Sequence, residues 1–194
     1  MTISDRIRVK NVRLLSDNWY TLKTTTLEWR RADGEWQTQH RETYDRGNGA
    51  TLLPYNLARR TVMLVKQFRY PAYVNGCDDL LIEAAAGLLD NESPETRIRT
   101  EAEEEIGYRL RDIRKIFEAY MSPGSVTEKL HFFVAEYQPE MKIGAGGGNP
   151  DEGEDIEVLE LAIDEALAMI ADGRIMDAKT IMLLQWAKLH IFTG

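Results

Sequence analysis

Residues 87–108 of the chain read GLLDNESPETRIRTEAEEEIGY, a pattern that predicts a helix between two loops. Ser93 followed by Pro94 is typical of a helix N-cap with proline at the first helical position, where its missing N–H costs nothing. Gly107 is a typical helix stop. At 3.6 residues per turn, Glu101, Glu104 and Glu105 are expected to project from one face of this helix.

Three carboxylates on one helix face repel one another, so their spacing needs an explanation. One explanation is a solvated face relieved by neighbouring cations, since Arg97 precedes Glu101 by four residues. The other is a bound divalent cation, because Mg²⁺ and Mn²⁺ prefer hard carboxylate oxygens held on a rigid element. The helix alone favours the first explanation, and the residues around it favour the second.

The whole stretch, called the box below, resembles the signature of the Nudix hydrolases, G-x5-E-x7-R-E-U-x-E-E-x-G-U, where U is aliphatic. Its E, U, E, E, G and U positions are filled by Glu101, Ala102, Glu104, Glu105, Gly107 and Tyr108. Two departures occur. Thr100 stands in the arginine position, so the role of orienting the glutamates passes to Arg97, to Arg99 or to no residue. Glu92 follows Gly87 after four residues instead of five.

Length and charge restrict the class of protein. A chain of 194 residues suits one domain, with or without a small appendage. The formal charge of −8 offers no footprint for nucleic acid or an anionic membrane. The lone Cys77 excludes an intrachain disulfide, and residues 1–10 are too charged for a signal peptide. We therefore expect a cytoplasmic protein with no nucleic-acid or membrane partner.

The N-terminal region has an extended pattern with few aliphatic residues. Residues 19–31 and 35–45 predict two strands joined by a turn at Ala32-Asp33-Gly34. The region resembles the N-terminal antiparallel sheet through which Nudix proteins of the ADP-ribose pyrophosphatase type form dimers. The alternative is a sheet packed on its own catalytic domain. We predict a dimerisation region at 1–47, a catalytic domain at 48–194, and a homodimer.

The remaining pattern predicts an α/β fold, a Nudix α/β/α sandwich with a mixed sheet. A polar, glycine-rich loop runs from 142 to 155. Apolar runs predict strands at 51–56, 61–68, 80–85, 113–120, 129–137 and 156–161, and helices at 163–171 and 178–192 follow.

Two cations outside the box are candidate phosphate ligands. Arg69 ends an apolar strand, and its planar fork suits bidentate phosphate binding. Lys179 stands at a helix start, where exposed N–H groups also favour anions. As plain sequence, Arg69 is equally compatible with a solvated strand end, and Lys179 with an ordinary surface lysine.

Two acidic candidates lie on loops. Glu128 could contact the sugar or base, or merely begin a strand in solvent. The loop after Gly148 carries Glu152 and Glu154, and such loops are usually just mobile and wet. Family members keep a loop glutamate there that binds a metal or takes a proton from water. We assign it to Glu154, with Glu152 as the alternative.

The resemblance also implies the ligand set of the site. It implies catalytic Glu101, Glu105 and Glu154, and Mg²⁺ (Mn²⁺ possible) on these three residues and the Ala86 carbonyl. It implies nucleotide contacts from the N-terminal sheet, with Trp19 supplied by the partner subunit. The full set of predicted substrate-binding residues is Trp19, His40, Arg41, Glu42, Arg69, Ala86, Gly87, Leu88, Glu105, Glu128, Gly153, Glu154 and Lys179.

The predicted reaction is metal-dependent hydrolysis of a nucleoside diphosphate sugar. Residues 118–133, EAYMSPGSVTEKLHFF, most resemble the branch of the family that hydrolyses GDP-mannose to GMP and mannose 1-phosphate. ADP-ribose is the alternative substrate. Two other hypotheses remain: a non-catalytic nucleotide-sugar sensor, suggested by Thr100 and the shortened loop, and a purely structural dimer module.

Overall fold

A computed structural model of the chain describes residues 2–193, except for the side chain of Glu152. The described residues form two compact units. The first runs to Asn48 and also includes Tyr120–Lys129. The second comprises Gly49–Ala119 and the chain from Leu130 onward. The division of function between residues 1–47 and 48–194 stays a prediction.

The first unit is built on a three-stranded antiparallel sheet in the order β1-β2-β3. Its strands are β1 (Ile7–Ser16), β2 (Thr21–Arg30) and β3 (Trp36–Asp45), preceded by a 3₁₀ turn at Ile3–Arg6. A bulge between Val9 and Asn11 shifts the alternation of β1 by one residue. As a result Val9, Val12 and Leu14 share one face, and each is more than half exposed.

The second segment of this unit lies along the end of β3. Tyr44 donates its N–H to the Ser125 carbonyl (2.8 Å), and its own carbonyl accepts the N–H of Thr127 (3.1 Å). The Thr127 hydroxyl donates to Asp45 Oδ1 (2.8 Å). Ser125 N–H closes the predicted turn on the Ser122 carbonyl (3.1 Å).

The second unit contains a seven-stranded mixed sheet in the order β10-β5-β4-β9-β8, with β6 beside β5 and β7 beside β4. The central strand β4 pairs in parallel with β9 and antiparallel with β5 and β7. Its strands are β4 (Gly49–Asn56), β5 (Thr61–Gln67), β6 (Leu81–Glu83), β7 (Ala85–Leu88), β8 (Arg114–Tyr120), β9 (Lys129–Glu136) and β10 (Glu157–Ala162).

Four α-helices accompany this sheet in the described part of the chain. They are α1 (Tyr70–Val74), α2 (Pro94–Glu101), α3 (Ile163–Ala171) and α4 (Ala178–His190). The sequence pattern predicts all of them except α1, and α4 ends two residues earlier than expected. Short 3₁₀ turns lie at Pro139–Met141 and Pro150–Glu152. None of the described helices is long and apolar enough to cross a bilayer.

The core explains why the helices flank the sheet. Alternate side chains of the strands point to opposite faces, and both faces are apolar. One face, with Leu52, Val65 and Phe133, packs with Ile98 and Ala102 of the box. Helix α4 packs on β4 and against α3. The predicted α/β/α arrangement with a mixed sheet is confirmed.

Candidate active site

The box helix begins and ends as its sequence predicts. Ser93 Oγ accepts the N–H of Thr96 (3.1 Å), and Pro94 is the first helical residue. Gly107 ends the helix with φ of 79°, in the left-handed region that glycine adopts without a Cβ penalty. Between these ends, α2 widens into a π-helical turn at Ala102–Ile106, a feature common at functional sites.

The three box carboxylates do not share one environment. Glu101 and Glu105 are buried, with 3% and 1% of their surface exposed, whereas Glu104 is exposed. The expectation of a common face assumes 3.6 residues per turn, and the π-helical turn changes that period after Glu101. The box therefore presents a buried pair of carboxylates and a third at the surface.

Burial and mutual repulsion disfavour the charged forms of this pair. Desolvation raises the pKa of Glu101 to about 7; the charges of Glu154 and Glu104 add to the rise, and Arg97 opposes it. Desolvation likewise raises the pKa of Glu105 well above its usual range, and the charges of Glu101 and Glu154 add to this. Glu154 therefore acts on both buried carboxylates.

Arg97 is the arginine that contacts the pair. Its Nη2 lies 2.5 Å from Glu101 Oε1. Its buried Nε has no hydrogen-bond partner among the described residues. Arg99 instead donates from Nη1 to the Leu110 carbonyl (3.1 Å). Thr100 fills the position where the signature has an arginine, and Arg97, one helical turn before Glu101, makes the arginine contact to that glutamate instead.

Strand β7 lies directly against both buried carboxylates. The Ala86 N–H donates to Glu105 Oε2 (3.2 Å). A Cβ placed on Gly87 would overlap the Glu101 carboxylate, so any larger residue here would displace that side chain. Leu88, the next residue of the strand, is half-buried. These contacts bring Ala86, Gly87, Glu101 and Glu105 together, as predicted.

The glycine-rich loop carries Glu154 to the same place. Gly147 N–H donates to the Glu105 carbonyl (3.0 Å), and Gly148 N–H donates to the Glu104 carbonyl (3.1 Å). Half-buried Glu154 accepts the Asn149 N–H at Oε2 (2.8 Å). Gly153 has φ of 77° and an open environment. The alternative carboxylate, that of Glu152, lies outside the described residues.

Arg69 and Lys179 meet at a carboxylate that the sequence analysis missed. Glu83, at the end of β6, receives Arg69 Nε at Oε2 (2.7 Å) and Lys179 Nζ at Oε1 (2.6 Å). Lys179 also contacts Asp177 Oδ1 (3.0 Å), and its side chain is only 11% exposed. The surface-lysine interpretation is therefore wrong. An acidic residue inside the apolar run LLIEAA was the available clue.

The other predicted contacts lie in the first unit. Trp19 is 81% exposed and packs edge-to-face with Tyr20. His40, Arg41 and Glu42 are exposed on β3. Glu128 is mostly buried and pairs with Arg46 (3.4 Å), so it is not simply a solvated strand start. A cleft of about 540 Å³ is lined by Arg41, Glu42, Thr43, Tyr120 and residues 123–127.

The donors at the box suit a divalent cation. Across the described residues, no three Asp, Glu, His or Cys side chains already converge closely enough to hold one. Glu101 is turned toward Arg97 and Glu105 toward the Ala86 N–H. Two buried carboxylates with raised pKa values, beside a third negative charge, nevertheless form the oxygen-rich, electron-rich set that Mg²⁺ or Mn²⁺ prefers.

Comparison with known proteins identifies the family. A GDP-mannose pyrophosphatase of Yersinia pestis (strain Pestoides F) is 54% identical over 189 residues, covering 96% of this chain and 94% of its own. Proteins of the same name from Yersinia enterocolitica and Pectobacterium atrosepticum are also 54% identical, each over 95% of this chain. The chain belongs to the GDP-mannose pyrophosphatase family of Nudix hydrolases.

Two further similarities agree with this Nudix assignment. Residues 6–44 match the family model described as the GDP-mannose pyrophosphatase NudK N-terminal domain. A crystal structure described as an ADP compounds hydrolase shares the fold, with a TM-score of 0.72, 18% identity and 96% coverage of both chains. The resemblance seen in the box is confirmed. Membership of a hydrolase family and the retained carboxylates favour an enzyme over a sensor or a structural module.

Proposed function

We propose that the protein hydrolyses GDP-mannose to GMP and mannose 1-phosphate. The observation that carries this proposal is the 54% identity, over almost the whole chain, to proteins named GDP-mannose pyrophosphatase. The buried pair Glu101 and Glu105 beside β7 supports the chemistry. Water adds to one phosphorus, the bridging P–O bond breaks, and the water proton must be removed.

Glu101, Glu105, Glu154 and the Ala86 carbonyl would hold the divalent cation, with Mg²⁺ as our first choice and Mn²⁺ as the alternative. When bound, such an ion neutralises phosphate charge and lowers the pKa of a coordinated water. Attraction to a bound cation would also offset the desolvation and the repulsion that raise the pKa values of Glu101 and Glu105.

The chain's own residues supply binding and proton transfer. Arg69 binds phosphate oxygens through its two Nη groups, since its Nε is committed to Glu83. Gly87 and Leu88 offer backbone next to the carboxylates, and Lys179 adds positive charge. Glu154 accepts the proton of the attacking water from its half-buried position on the loop.

The N-terminal sheet is the proposed site of dimerisation and of nucleotide contacts. Its exposed face with Val9, Val12 and Leu14 offers an apolar surface for a second copy of the chain. Trp19, with His40, Arg41, Glu42 and Glu128, would contact the nucleotide sugar. We further propose that the enzyme works in the cytoplasm, in keeping with its single cysteine, and that it binds no nucleic acid.

A substrate panel tests this proposal directly. Purified protein is incubated with GDP-mannose, ADP-ribose, GDP-glucose or NADH, once with Mg²⁺ and once with EDTA, and nucleoside monophosphate release is measured. We expect the highest kcat/KM for GDP-mannose and loss of turnover in EDTA. Faster turnover of ADP-ribose would overturn the substrate, and binding without turnover would restore the sensor hypothesis.

A further inference from the structure

Glu83 is a buried carboxylate to which neither the family resemblance nor the proposed reaction gives a role. It ends β6, within the apolar run LLIEAA, and only 4% of its side chain is exposed. A buried carboxylate is costly unless its charge is paired and its oxygens accept hydrogen bonds. Both oxygens are satisfied here, and both by cations.

The two cations are the predicted phosphate ligands, Arg69 and Lys179. They come from distant parts of the chain and converge on one side chain: Arg69 lies two residues after β5, at the N-cap of α1, and Lys179 lies in the first turn of α4. Arg69 Nε lies 2.7 Å from Glu83 Oε2, and Lys179 Nζ lies 2.6 Å from Oε1. One carboxylate therefore fixes the distance between two positive groups.

The surroundings of Lys179 hold this arrangement rigidly. Asp177 caps α4 by accepting the N–H (3.0 Å) and hydroxyl (2.6 Å) of Thr180, and it also contacts Lys179 Nζ (3.0 Å). Thr180 Oγ1 in turn accepts the N–H of Ala84, the neighbour of Glu83 (2.6 Å). Strand β6 and the start of α4 are thereby joined on both sides of the ion pair.

The geometry leaves Arg69 free to act on an anion. Glu83 engages only its Nε, and its two Nη groups have no hydrogen-bond partner among the described residues. The side chain is 41% exposed. A carboxylate at Nε sets the plane of the guanidinium, so the two Nη groups point in a fixed direction. Glu105 and Asp177 lie close enough to add to the field on Arg69.

We propose that Glu83 is a positioning residue, which aims Arg69 and Lys179 at the diphosphate of the substrate. This inference rests on the proposed function and assigns to Glu83 the task of building its phosphate site. Glu83 touches no reacting atom. Its effect is exerted through the two cations.

The first experiment compares Glu83→Gln with Glu160→Gln in GDP-mannose hydrolysis. Glu160 is the matched control: it is a partly buried carboxylate in the same sheet that pairs with Arg59 (2.8 Å) and accepts the Tyr137 hydroxyl (2.6 Å). Because a charge-assisted hydrogen bond is lost, we expect Glu83→Gln to raise KM about tenfold or more. Glu160→Gln should leave KM unchanged within about twofold. Thermal unfolding of both variants checks that they fold.

The second experiment distinguishes positioning from a merely structural role. In an Arg69→Gln background, adding Glu83→Gln should raise KM by less than about threefold, because the guanidinium that Glu83 positions is already absent. Glu83→Asp keeps the charge but has a shorter side chain. Compared with Glu83→Gln, it should recover more of the parent's thermal stability than of the parent's KM. Fully additive effects of Glu83→Gln and Arg69→Gln would overturn the inference.

A binding measurement separates failure of this inference from failure of the proposed function. The affinity for GDP-mannose is measured by calorimetry in EDTA for the parent, for Glu83→Gln and for the control Glu160→Gln. If the parent neither binds nor cleaves GDP-mannose, the proposed function fails, and this inference fails with it. If the parent binds and cleaves while Glu83→Gln keeps the parent's affinity and KM, only the role of Glu83 is wrong.

Discussion

Glu101 and Glu105 are the residues whose energetics depend most on what the site binds. Both carboxylates are buried, and desolvation raises the pKa of each. The charge of Glu101 raises the pKa of Glu105 further. In the absence of a cation, this cost is relieved by protonation of a carboxylate, by the contact of Glu101 with Arg97, and by the Ala86 N–H and the charge of Arg69 acting on Glu105. Their chemistry and their cost to folding therefore have the same origin.

Removing either carboxylate should abolish most turnover. We expect Glu101→Gln and Glu105→Gln to lower kcat/KM at least about 100-fold, because several kcal/mol of transition-state stabilisation is lost with the ion. Glu103→Gln is the matched control in the same turn, since Glu103 is occupied with Arg109 (2.8 Å). Steady-state GMP release measures all three. Parent-like rates for Glu101→Gln would contradict the proposed site.

The raised pKa values predict how stability responds to pH. A buried carboxylate whose pKa rises from 4.5 to about 7, as for Glu101, stabilises the folded state only while protonated. This contribution, on the order of 3 kcal/mol, is complete below the unfolded pKa and is lost as the pH rises through about 7. In EDTA, the melting temperature should therefore fall most steeply between about pH 5 and about pH 7 and level off at higher pH.

Metal should reverse that loss, and a single variant checks the cause. Mg²⁺ should raise the melting temperature more at about pH 8 than at about pH 6, where protons compete for the carboxylates. In Glu101→Gln, both the pH dependence in EDTA and the Mg²⁺ effect should shrink. A melting temperature that rises with pH over this window in EDTA would show that the pair is not the dominant titrating group.

Local chemistry decides which individual residues could be predicted from the sequence. Ser93, Pro94 and Gly107 act on backbone groups within a few residues of themselves, so their roles as cap, first residue and stop were predictable and are confirmed. The environment of Lys179 was not predictable, because the carboxylate that pairs with it, Glu83, lies on β6, far away in the sequence. A surface lysine and a buried, paired lysine look alike until the partner is known.

At the scale of elements, the glycine-rich loop and the box helix form one assembly. A Cβ on Gly146 would collide with the Glu105 carbonyl, and a Cβ on Gly148 would collide with the Glu154 side chain. Both glycines also have positive φ. Close backbone contact between loop and helix is thus what fixes Glu154 relative to Glu105.

Substituting one glycine should disturb that assembly. Gly146→Ala places a side chain in the left-handed region and against backbone, so we expect at least about 1–2 kcal/mol of destabilisation and lower kcat. Gly144→Ala is the matched control on the same loop, because its φ is ordinary and the nearest atom to an added Cβ is 4.0 Å away. Melting temperature and GMP release test both. Equal effects of the two substitutions would contradict the close contact.

Element-level prediction failed where tertiary structure overrides local pattern. The π-helical turn at Ala102–Ile106 leaves no mark in the helical periodicity, yet it decides that Glu104 is exposed and Glu105 buried. Helix α1 was missed because Phe68-Arg69-Tyr70 continues an apolar strand and is followed by only five helical residues. The bounds of α3 and of strands β2 to β5 and β8 to β10 were predicted within two residues. Strand β1 was not predicted as a separate strand, and the single strand expected at 80–85 is divided into β6 and β7.

At the scale of the whole molecule, the exposed face of β1 predicts the oligomeric state. Val12 and Leu14 lie on the same face because they are two residues apart in β1, the bulge after Val9 adds Val9 to that face, and Arg13 points to the other. We expect the double variant Val12→Asp, Leu14→Asp to sediment as a monomer, since a dimer would bury the added charges. Arg13→Asp should remain dimeric. A monomeric parent protein would rule out dimerisation through this sheet.

The parallel pairing of β4 with β9 has a consequence for folding during synthesis on the ribosome. Gly49 and Leu130 are partners, so the entire box is synthesised between two neighbouring strands. Until the ribosome has delivered residue 136, the almost wholly buried strand β4 keeps one edge open. Such an edge invites pairing with other nascent chains. We therefore expect a chain truncated before β9 to aggregate more readily than the full-length chain.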